Sequence, residues 1–447
     1  MKNKKALVLL FIANGISGFA QGITMLSIPI YFTQQNQSSL WIAFFGAITL
    51  GSLFWGLYAG ALVDGFNRKE VFLGTNFIEG LIILSVAALG YKEGVLPMAL
   101  VVLVFTATFY GYYIHYPNLY AFAQEITDPK DYTKVTSYIE VVGQSTQIGS
   151  AALGAILLAG IDKDIVFSVF NSDFSIPFHI RKWQLHEILL MDGFTYIISF
   201  ILIIFIRHKP EKNASHHETD DSDLSAQFRS GIAYLKSNPL VTIFGVCSYS
   251  IFIITLVEMF SLRSIYVLHH LHKGPDVVGF SELTYASGSL LSGFMIQKLL
   301  SSMPIPKSIT LLTFLTAVAF FFCAFSHSVW LFYLLSFTMG FTNAGSRIFR
   351  VSYLFNLIPN ELTGRVNSIF NVANTLFRIT FIVIFVFPFF SQGSNIVYAY
   401  IILGGFTFLA GMILLFLYRR LLTLTANITA PHHVAEADAE ANDAPAH

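Results

Sequence analysis

The sequence is poor in charged residues and almost devoid of cysteine. Only 12% of its 447 residues are charged and 55% are hydrophobic, whereas soluble domains are roughly 25% charged. The mean hydropathy is +0.64, so a soluble globular protein is excluded. The two cysteines, Cys247 and Cys323, both lie in apolar runs, which gives neither a disulfide framework nor a metal-ligand spacing.

Net charge and enzyme motifs are absent too. The 26 basic residues balance the 26 acidic ones, so no overall charge attracts nucleic acid. The sequence contains no nucleophile elbow, HExxH zinc motif or phosphate-binding loop. We therefore expect no enzymatic activity, no cofactor, no metal ion and no nucleic-acid partner.

Long apolar runs are abundant instead. A helix needs about 20 apolar residues to cross a hydrocarbon core about 30 Å thick. Twelve runs fit this length and are placed at 6–32, 40–63, 70–91, 95–123, 134–160, 187–207, 239–269, 277–299, 307–326, 329–357, 365–391 and 395–418. The predicted fold class is an all-α membrane protein with twelve transmembrane helices in two pseudo-symmetric six-helix bundles.

The distribution of basic residues predicts the orientation of these spans. With the N terminus inside, seventeen Lys and Arg residues lie on the inner side, five on the outer side and four within spans. Cytoplasmic loops carry the excess of positive charge. Both termini are therefore predicted to be cytoplasmic, with the lipid bilayer as the surrounding medium.

Composition changes divide the chain into segments. The first six-helix bundle is predicted at 1–207, a cytoplasmic linker at 208–238, the second bundle at 239–419 and a disordered cytoplasmic tail at 420–447. Within the first segment, residues 161–186 form an outer insertion whose alternating pattern predicts a short hairpin or an interfacial flap.

The linker contains a helical pattern. Leu224, Phe228, Ile232 and Leu235 recur every three or four residues, which predicts an amphipathic helix along the membrane face. The favoured alternative is a solvated linker helix that has no partner.

The loop after the second predicted span carries the most specific motif. It reads GALVDGFNRKE and contains Gly60, Asp64, Arg68 and Lys69. Glycine permits close helix approach. An acid at the end of a span can bond backbone groups or a helix N terminus, and basic residues hold a tight turn at the inner interface.

This motif resembles the loop between the second and third helices of the major facilitator superfamily, G-x-x-x-D-[RK]-x-G-[RK]-[RK]. The sequence departs from it at Gly65, where a basic residue is usual, and at Asn67, where glycine is usual. The resemblance implies a monomeric secondary transporter with two bundles that rock around a central site, and a cytoplasmic gate that contains the four motif residues named above.

Two further stretches refine the resemblance. YPNLYAFAQEITDPKDYTKVTSYIEVVGQSTQIGSAALGAIL and LIPNELTGRVNSIFNVANTLF look like the branch of bacterial macrolide-efflux and siderophore exporters. The first stretch also looks like bacterial lysophospholipid transporters. An exporter of an amphipathic, anionic small molecule in a bacterial inner membrane is the leading expectation. A lysophospholipid translocator, uptake of the same ligands and a non-transporting scaffold remain alternatives.

Four arginines fall within predicted spans, namely Arg263, Arg347, Arg350 and Arg378. Each costs about 2.5–3.5 kcal/mol at the centre of a bilayer, so we expect them to face the bundle interior. A guanidinium group suits carboxylate and phosphate groups, which favours binding of an anionic substrate. Structural ion pairs with intramembrane acids are the alternative.

Acids lie at comparable depth. Glu79, Glu140 and Glu258 are candidates for proton coupling because intramembrane carboxyl groups mark proton pathways; Glu282 is a further candidate ion-pair partner. Residues five apart do not stack on a regular α-helix, so Glu258 is expected to reach Arg263 only through a neighbouring residue.

Aromatic residues dominate the fourth predicted span. Tyr113, His115 and Asn118 could line an amphipathic wall that contacts substrate. Packing between helices is the competing interpretation of these tyrosines.

Overall fold

The computed structural model describes residues 4–127, 132–169, 172–207, 224–300 and 302–442, and it is built almost entirely of helices. The first half contains α1 Lys4–Gln34, α2 Ser38–Gly65, α3 Arg68–Glu93, α4 Met98–Glu125, α5 Tyr132–Ala159 and α6 Leu185–Ile204. The second half contains α7 Leu224–Ser237, α8 Pro239–Ser248, α9 Ser250–Val257, α10 Arg263–Ile265, α11 Pro275–Leu300, α12 Ile305–Ala324, α13 Val329–Leu357, α14 Asn360–Phe385 and α15 Ile396–Asn442.

Each of the twelve predicted spans coincides with a long helical segment, and the all-helical membrane class is confirmed. Within the described ranges, ten segments are long and apolar enough to cross a membrane, among them Pro239–His270, which joins α8 to α10. The other two predicted spans are α11 and α13. These helices have 26 and 29 residues and carry Glu282 and the pair Arg347 and Arg350, respectively.

The insertion predicted at 161–186 contains a β-hairpin, which confirms the first of its two predicted forms. Strand β1, Ile161–Val169, pairs antiparallel with β2, Ser172–Ile180, so that Ile161 lies opposite Ile180. Gly160 joins α5 to β1 with φ at +75°. Glycine adopts this left-handed conformation without the steric cost that a side chain imposes.

The amphipathic helix of the linker is present as α7, and residues 208–223 lie outside the described part of the chain. The helix is not unpartnered. Tyr234 Oη donates to the Leu357 carbonyl at 2.9 Å, and Arg365 Nη1 donates to Ser230 Oγ at 2.9 Å. Leu235 is buried in the apolar core beneath. The expectation of a solvated helix without a partner is therefore wrong, because the described side chains in the second half of α7 contact α13, α14 and the apolar core.

The last helix extends further than predicted. Helix α15 continues to Asn442, so the predicted disordered tail, 420–447, is helical as far as the description reaches, and 443–447 lie outside it. The tail is predicted to be disordered because it has too little apolar surface to form a hydrophobic core. Its alanines and glutamates nevertheless have high helix propensity, and a helix needs no core to form its own hydrogen bonds.

The chain forms two compact units. The first comprises Met1–His216, Glu258–Ala286 and Ile379–Val397, and the second comprises the remaining segments. The chain therefore leaves the second unit after Val257 and returns to it at Ser287. The predicted division at the linker treats 239–419 as one bundle, whereas two of its segments belong by contact to the first unit.

Aromatic packing joins one of these segments to the first unit. Trp41 is almost fully buried, donates from Nε1 to the Phe260 carbonyl at 2.5 Å and meets Phe105 edge-on at 4.7 Å between ring centroids. Phe45 packs against the Phe260 ring at 5.2 Å. Such ring pairs contribute stability beyond that of the apolar area they bury. They therefore hold the segment Glu258–Ala286 against α2 and α4.

Close helix packing in the second unit yields a stability prediction. A Cβ at Gly288 of α11 would collide with the Phe337 backbone of α13, whereas a Cβ at Gly293 meets nothing within 4 Å. We expect Gly288→Ala to destabilise the protein by about 1–3 kcal/mol through overpacking. Gly293→Ala should be neutral or slightly stabilising, because alanine is the better helix former.

Apparent melting temperatures in detergent, measured for both purified variants, test this pair. Equal melting temperatures for the two variants would contradict the packing of α11 on α13.

Candidate functional site

The seventh span changes helix type along its length. After α8 and α9, residues Glu258–Leu262 form a π-helical turn, α10 follows, and Tyr266–His270 form a second π-helical turn. A π turn bonds each residue to the one five positions away and often marks a functional site. Here it brings the side chains of Glu258 and Arg263 onto one face of the span.

Arg263 lies at the centre of a buried charged triad. Its Nε donates to Glu258 Oε1 at 3.1 Å and to Oε2 at 3.0 Å, and its Nη2 reaches Glu258 Oε2 at 2.5 Å. Its Nη1 is bonded to Glu282 Oε1 of α11. Arg263 is 1% exposed and Glu258 is fully buried. With two carboxylates and one guanidinium, the triad carries a formal charge of minus one when all three groups are ionised.

This geometry corrects one expectation from the sequence. Glu258 and Arg263 bond directly, not through a neighbouring residue, because the π turn replaces the α-helical spacing on which the expectation was based. The ion-pair alternative therefore describes Arg263, whose guanidinium group is held by two acids and is not available as a simple anion site. Glu258 is likewise engaged in this pair.

Arg350 is placed by the break between α8 and α9. Its Nη1 donates to the Ser248 carbonyl at 2.9 Å, and its guanidinium carbon lies 3.7 Å from the centroid of the Tyr249 ring. A cation over an aromatic face is attracted by the ring quadrupole. Arg350 is 5% exposed and its Nε has no hydrogen-bond partner among the described residues. One donor of this guanidinium therefore remains to be satisfied.

The other two predicted arginines differ in their surroundings. Arg347 lies one turn from Arg350 on the same face of α13 and is exposed. Arg378 is buried on α14 and donates from Nη2 to Thr375 Oγ1 at 2.9 Å. Arg347 and Arg350 thus form a basic pair on one helix, and Arg378 lies in the same compact unit.

The predicted residues of α4 are used mainly in packing. Asn118 is fully buried and donates from Nδ2 to the Arg68 carbonyl at 2.8 Å. His115 Nε2 lies 2.7 Å from Asn14 Oδ1 of α1. Tyr113 packs against Phe109 at 5.7 Å between ring centroids. Asn118 therefore has a structural contact at the start of α3, and its role in substrate binding stays a prediction, as do those of Tyr113 and His115.

The motif loop ties three helices together at one end of the first unit. Lys69 Nζ donates to the Ile204 and Ile206 carbonyls at 2.9 Å each, and so caps the end of α6. Arg68 Nε lies 3.6 Å from Glu125 Oε2 of α4. Asn67 accepts a hydrogen bond from Lys69 N at 3.0 Å and caps the start of α3, which explains how it serves where the motif has glycine.

Three predicted residues cannot be placed in the site. Gly60 lies in the helical backbone of α2, but its surroundings and the side chains of Asp64 and Glu140 lie outside the description. The gating role of Gly60 and Asp64 and the proton-coupling role of Glu140 remain predictions.

A buried acidic cluster in the first unit includes a residue that sequence reasoning missed. Glu79 of α3 is 8% exposed, and its carboxyl group interacts with the Tyr196 hydroxyl and with Asp192, both of α6. Asp192 is fully buried and neither of its carboxylate oxygens has a hydrogen-bond partner among the described residues. The rule that selected Glu79 also selects Asp192, since it is an acid inside the sixth predicted span.

The long apolar helices and the charged groups buried among them define an integral membrane protein. Residues 10–382 match the Major Facilitator Superfamily profile, and the chain belongs to this family. It is a secondary transmembrane transporter of a small molecule, not an enzyme. A sequence comparison with curated proteins gives no significant match.

Solved structures share the fold at low sequence identity. The nucleoside transporter NupG has a TM-score of 0.67 at 12% identity, with coverage of 92% of this chain and 99% of NupG. A bacterial homologue of the human lysosomal transporter Spinster has a TM-score of 0.67 at 10% identity, with coverage of 95% and 98%. A D-xylose-proton symporter has a TM-score of 0.66 at 12% identity, with coverage of 93% and 97%. These similarities establish the fold and leave the substrate open.

The charged triad yields a second stability prediction. Arg263→Met would leave the Glu258 and Glu282 carboxylates buried together without a counter-charge, and breaking such a buried pair costs about 3–5 kcal/mol. We expect a strongly lowered melting temperature for this variant. Arg347→Met is the matched control, since Arg347 is exposed and has no ion pair among the described residues.

The triple change Glu258→Gln, Arg263→Met, Glu282→Gln should recover most of the lost stability, because it removes the uncompensated charges. A single Arg263→Met variant as stable as Arg347→Met would contradict a stabilising role for the triad.

Proposed function

We propose that this transporter exports an amphipathic, anionic small molecule, such as a siderophore or a drug, and couples export to proton entry. The observation that carries the proposal is the basic pair of α13. Arg347 and Arg350 share one face of α13, which coincides with a predicted span, and neither forms an ion pair with an acid of the described residues.

Unbalanced positive charge in a span is costly. Each arginine costs about 2.5–3.5 kcal/mol at the centre of a bilayer, and intramembrane charges therefore mark substrate and ion pathways. A substrate carboxylate or phosphate would supply the missing counter-charge, and the buried Arg350 Nε is a donor that such a group could satisfy. Arg378, buried in the same unit, is the third residue that we assign to the anion site.

The aromatic surroundings favour an amphipathic ligand. The Tyr249 ring lies against the Arg350 guanidinium at 3.7 Å, so charge and apolar surface are presented together. A ligand that joins a carboxylate to an apolar or aromatic body would use both. Arg263 is omitted from this site because Glu258 and Glu282 already neutralise it.

Proton coupling is assigned to the first unit, where Glu79 is buried beside a second carboxyl group; Glu140 is retained as a candidate. Export and the siderophore or drug class rest on the resemblance of the sequence to that branch of the family. In the proposed orientation both termini face the cytoplasm of a bacterial cell, and the protein works as a monomer in the inner membrane.

A lysophospholipid translocator is the second candidate. A guanidinium pair suits a phosphate as well as a carboxylate, and the N-terminal half also resembles such transporters. This function predicts transport that is independent of a proton gradient, and uptake in place of export would use the same anion site.

Transport into proteoliposomes separates these candidates. Vesicles with an imposed proton gradient are offered either a carboxylate siderophore or a lysophospholipid. We expect saturable movement of the siderophore that follows the gradient. Gradient-independent movement of the lysophospholipid alone would replace the first proposal by the second.

Variants of the basic pair test the anion site in the same vesicles. Arg350→Ala should raise KM for the siderophore by about 10-fold to about 100-fold, as expected from the loss of a charge-assisted hydrogen bond worth about 1.5–3 kcal/mol. Arg229→Ala, at an exposed position of α7, is the control and should leave KM unchanged. An unchanged KM in both Arg347→Ala and Arg350→Ala, at normal expression, would remove the binding role.

A further inference from the structure

Polar atoms without a hydrogen-bond partner among the described residues lie around one buried carboxyl group of the first unit. Asp192 of α6 is fully buried, and Thr24 of α1, also fully buried, interacts with it. The Thr24 hydroxyl oxygen and both carboxylate oxygens of Asp192 nevertheless have no hydrogen-bond partner among the described residues. Three polar atoms are thus withdrawn from water, face one another across α1 and α6, and remain unsatisfied.

A second acid lies beside this group. The Glu79 carboxyl group of α3 interacts electrostatically with Asp192 and contacts the Tyr196 hydroxyl of α6. On its other side it lies against α4, where a Cβ at Gly111 would collide with Glu79 Oε1. Glycine at position 111 therefore leaves room for the carboxyl group. Among the described residues, the titratable groups that interact with Asp192 are Glu79 and Tyr196, and neither brings a positive charge.

The arrangement contrasts with the charged triad of the seventh span. There, two carboxylates share a guanidinium. Around Asp192 no basic side chain forms an ion pair within the described ranges. A buried charge that is neither paired nor hydrogen-bonded is among the most costly groups in a folded protein. A ligand that neutralises the carboxylate removes that cost.

We propose that Asp192 binds a proton in a site completed by Thr24, Glu79 and Tyr196. A bound proton makes the Asp192 carboxyl group a hydrogen-bond donor as well as an acceptor, so that it can bond the Thr24 hydroxyl and interact with Glu79 without a second full charge. A sodium ion fits less well, because hard cations take about six oxygen ligands, and the described side chains at Asp192 supply fewer.

The residues of the site come from three helices, and α6 packs against the other two. Thr24 belongs to α1, Glu79 to α3, and Asp192 and Tyr196 to α6. Loading or removing a proton changes the hydrogen bonds that join these helices. This part of the inference rests on the proposed proton coupling, in which the Asp192 proton enters from the outer side and leaves to the cytoplasm.

Infrared spectroscopy of the purified protein in nanodiscs tests the site without any substrate. The C=O stretching band of protonated carboxyl groups is followed as the pH is raised. We expect Asp192→Asn to remove one titrating carboxyl group, and Thr24→Val to shift the frequency of that band because a hydrogen bond to it is lost. Glu93→Gln, an exposed acid at the end of α3, is the matched control and should leave the buried band unchanged.

Three outcomes would overturn the proposal. The first is a spectrum of Asp192→Asn identical to that of the unaltered protein. The second is loss of the band only in Glu79→Gln, which would place the proton on Glu79. The third is removal of the band at constant pH when potassium is replaced by sodium. Asparagine is nearly isosteric with aspartate, and melting temperatures confirm that the variants are folded.

Transport assays separate this inference from the proposed function. In proteoliposomes, Asp192→Asn should keep siderophore exchange across the membrane but lose its acceleration by a proton gradient. If the infrared band behaves as expected and no siderophore moves, the proton site stands and the substrate assignment fails. If gradient-driven transport persists in Asp192→Asn, the coupling role of the site fails while the transport function stands.

Discussion

The cost of charge inside a hydrocarbon layer governs this structure. Each ionisable side chain of the spans must find a counter-charge, a dipole, an aromatic face or a ligand. Arg263 finds two carboxylates, Arg350 finds a carbonyl and a tyrosine ring, and Lys69 caps the exposed carbonyls at the end of α6. What these contacts leave unsatisfied is as informative as what they satisfy.

The two compact units differ in the sign of the charge that remains. In the first unit, Asp192 and Glu79 are buried side by side, and in the second, Arg347 and Arg350 share a helix face. The proposed exchange of an anion for a proton would use groups of both signs. Because the acidic and basic groups lie in different units, we assign the proton to the first unit and the anionic substrate to the second.

Much of the fold could be predicted from the sequence, because hydropathy reports directly on the position of the spans. The twelve helical segments at the predicted spans, the hairpin at 161–180 and the helix at 224–237 follow from such patterns. The bond between Glu258 and Arg263 could not be predicted, since hydropathy does not encode a π turn and the α-helical spacing excludes it. The composition of the tail indicates that it buries little apolar surface, but it does not exclude a helix. Helix α15 therefore extends further than expected.

The motif loop was predicted by position, and only the structure shows what its residues contact. Asn67, a departure from the family pattern, caps α3 through its side chain, a role that its residue type allows and that the pattern does not describe. Asp192 was within reach of the sequence, because it is an acid in a long apolar run. The proximity of Asp192 to Glu79 and Thr24 could not be predicted, because these residues are far apart in the sequence.

The π-helical turn of the seventh span begins where the chain passes from one compact unit to the other, between Val257 and Glu258. A regular helix resists bending because its hydrogen bonds form one continuous ladder, and kinks occur where that ladder is interrupted. At this position the ladder already changes from four-residue to five-residue bonding. The seventh span is therefore interrupted at the residue that begins its π turn, and that residue, Glu258, also belongs to the charged triad.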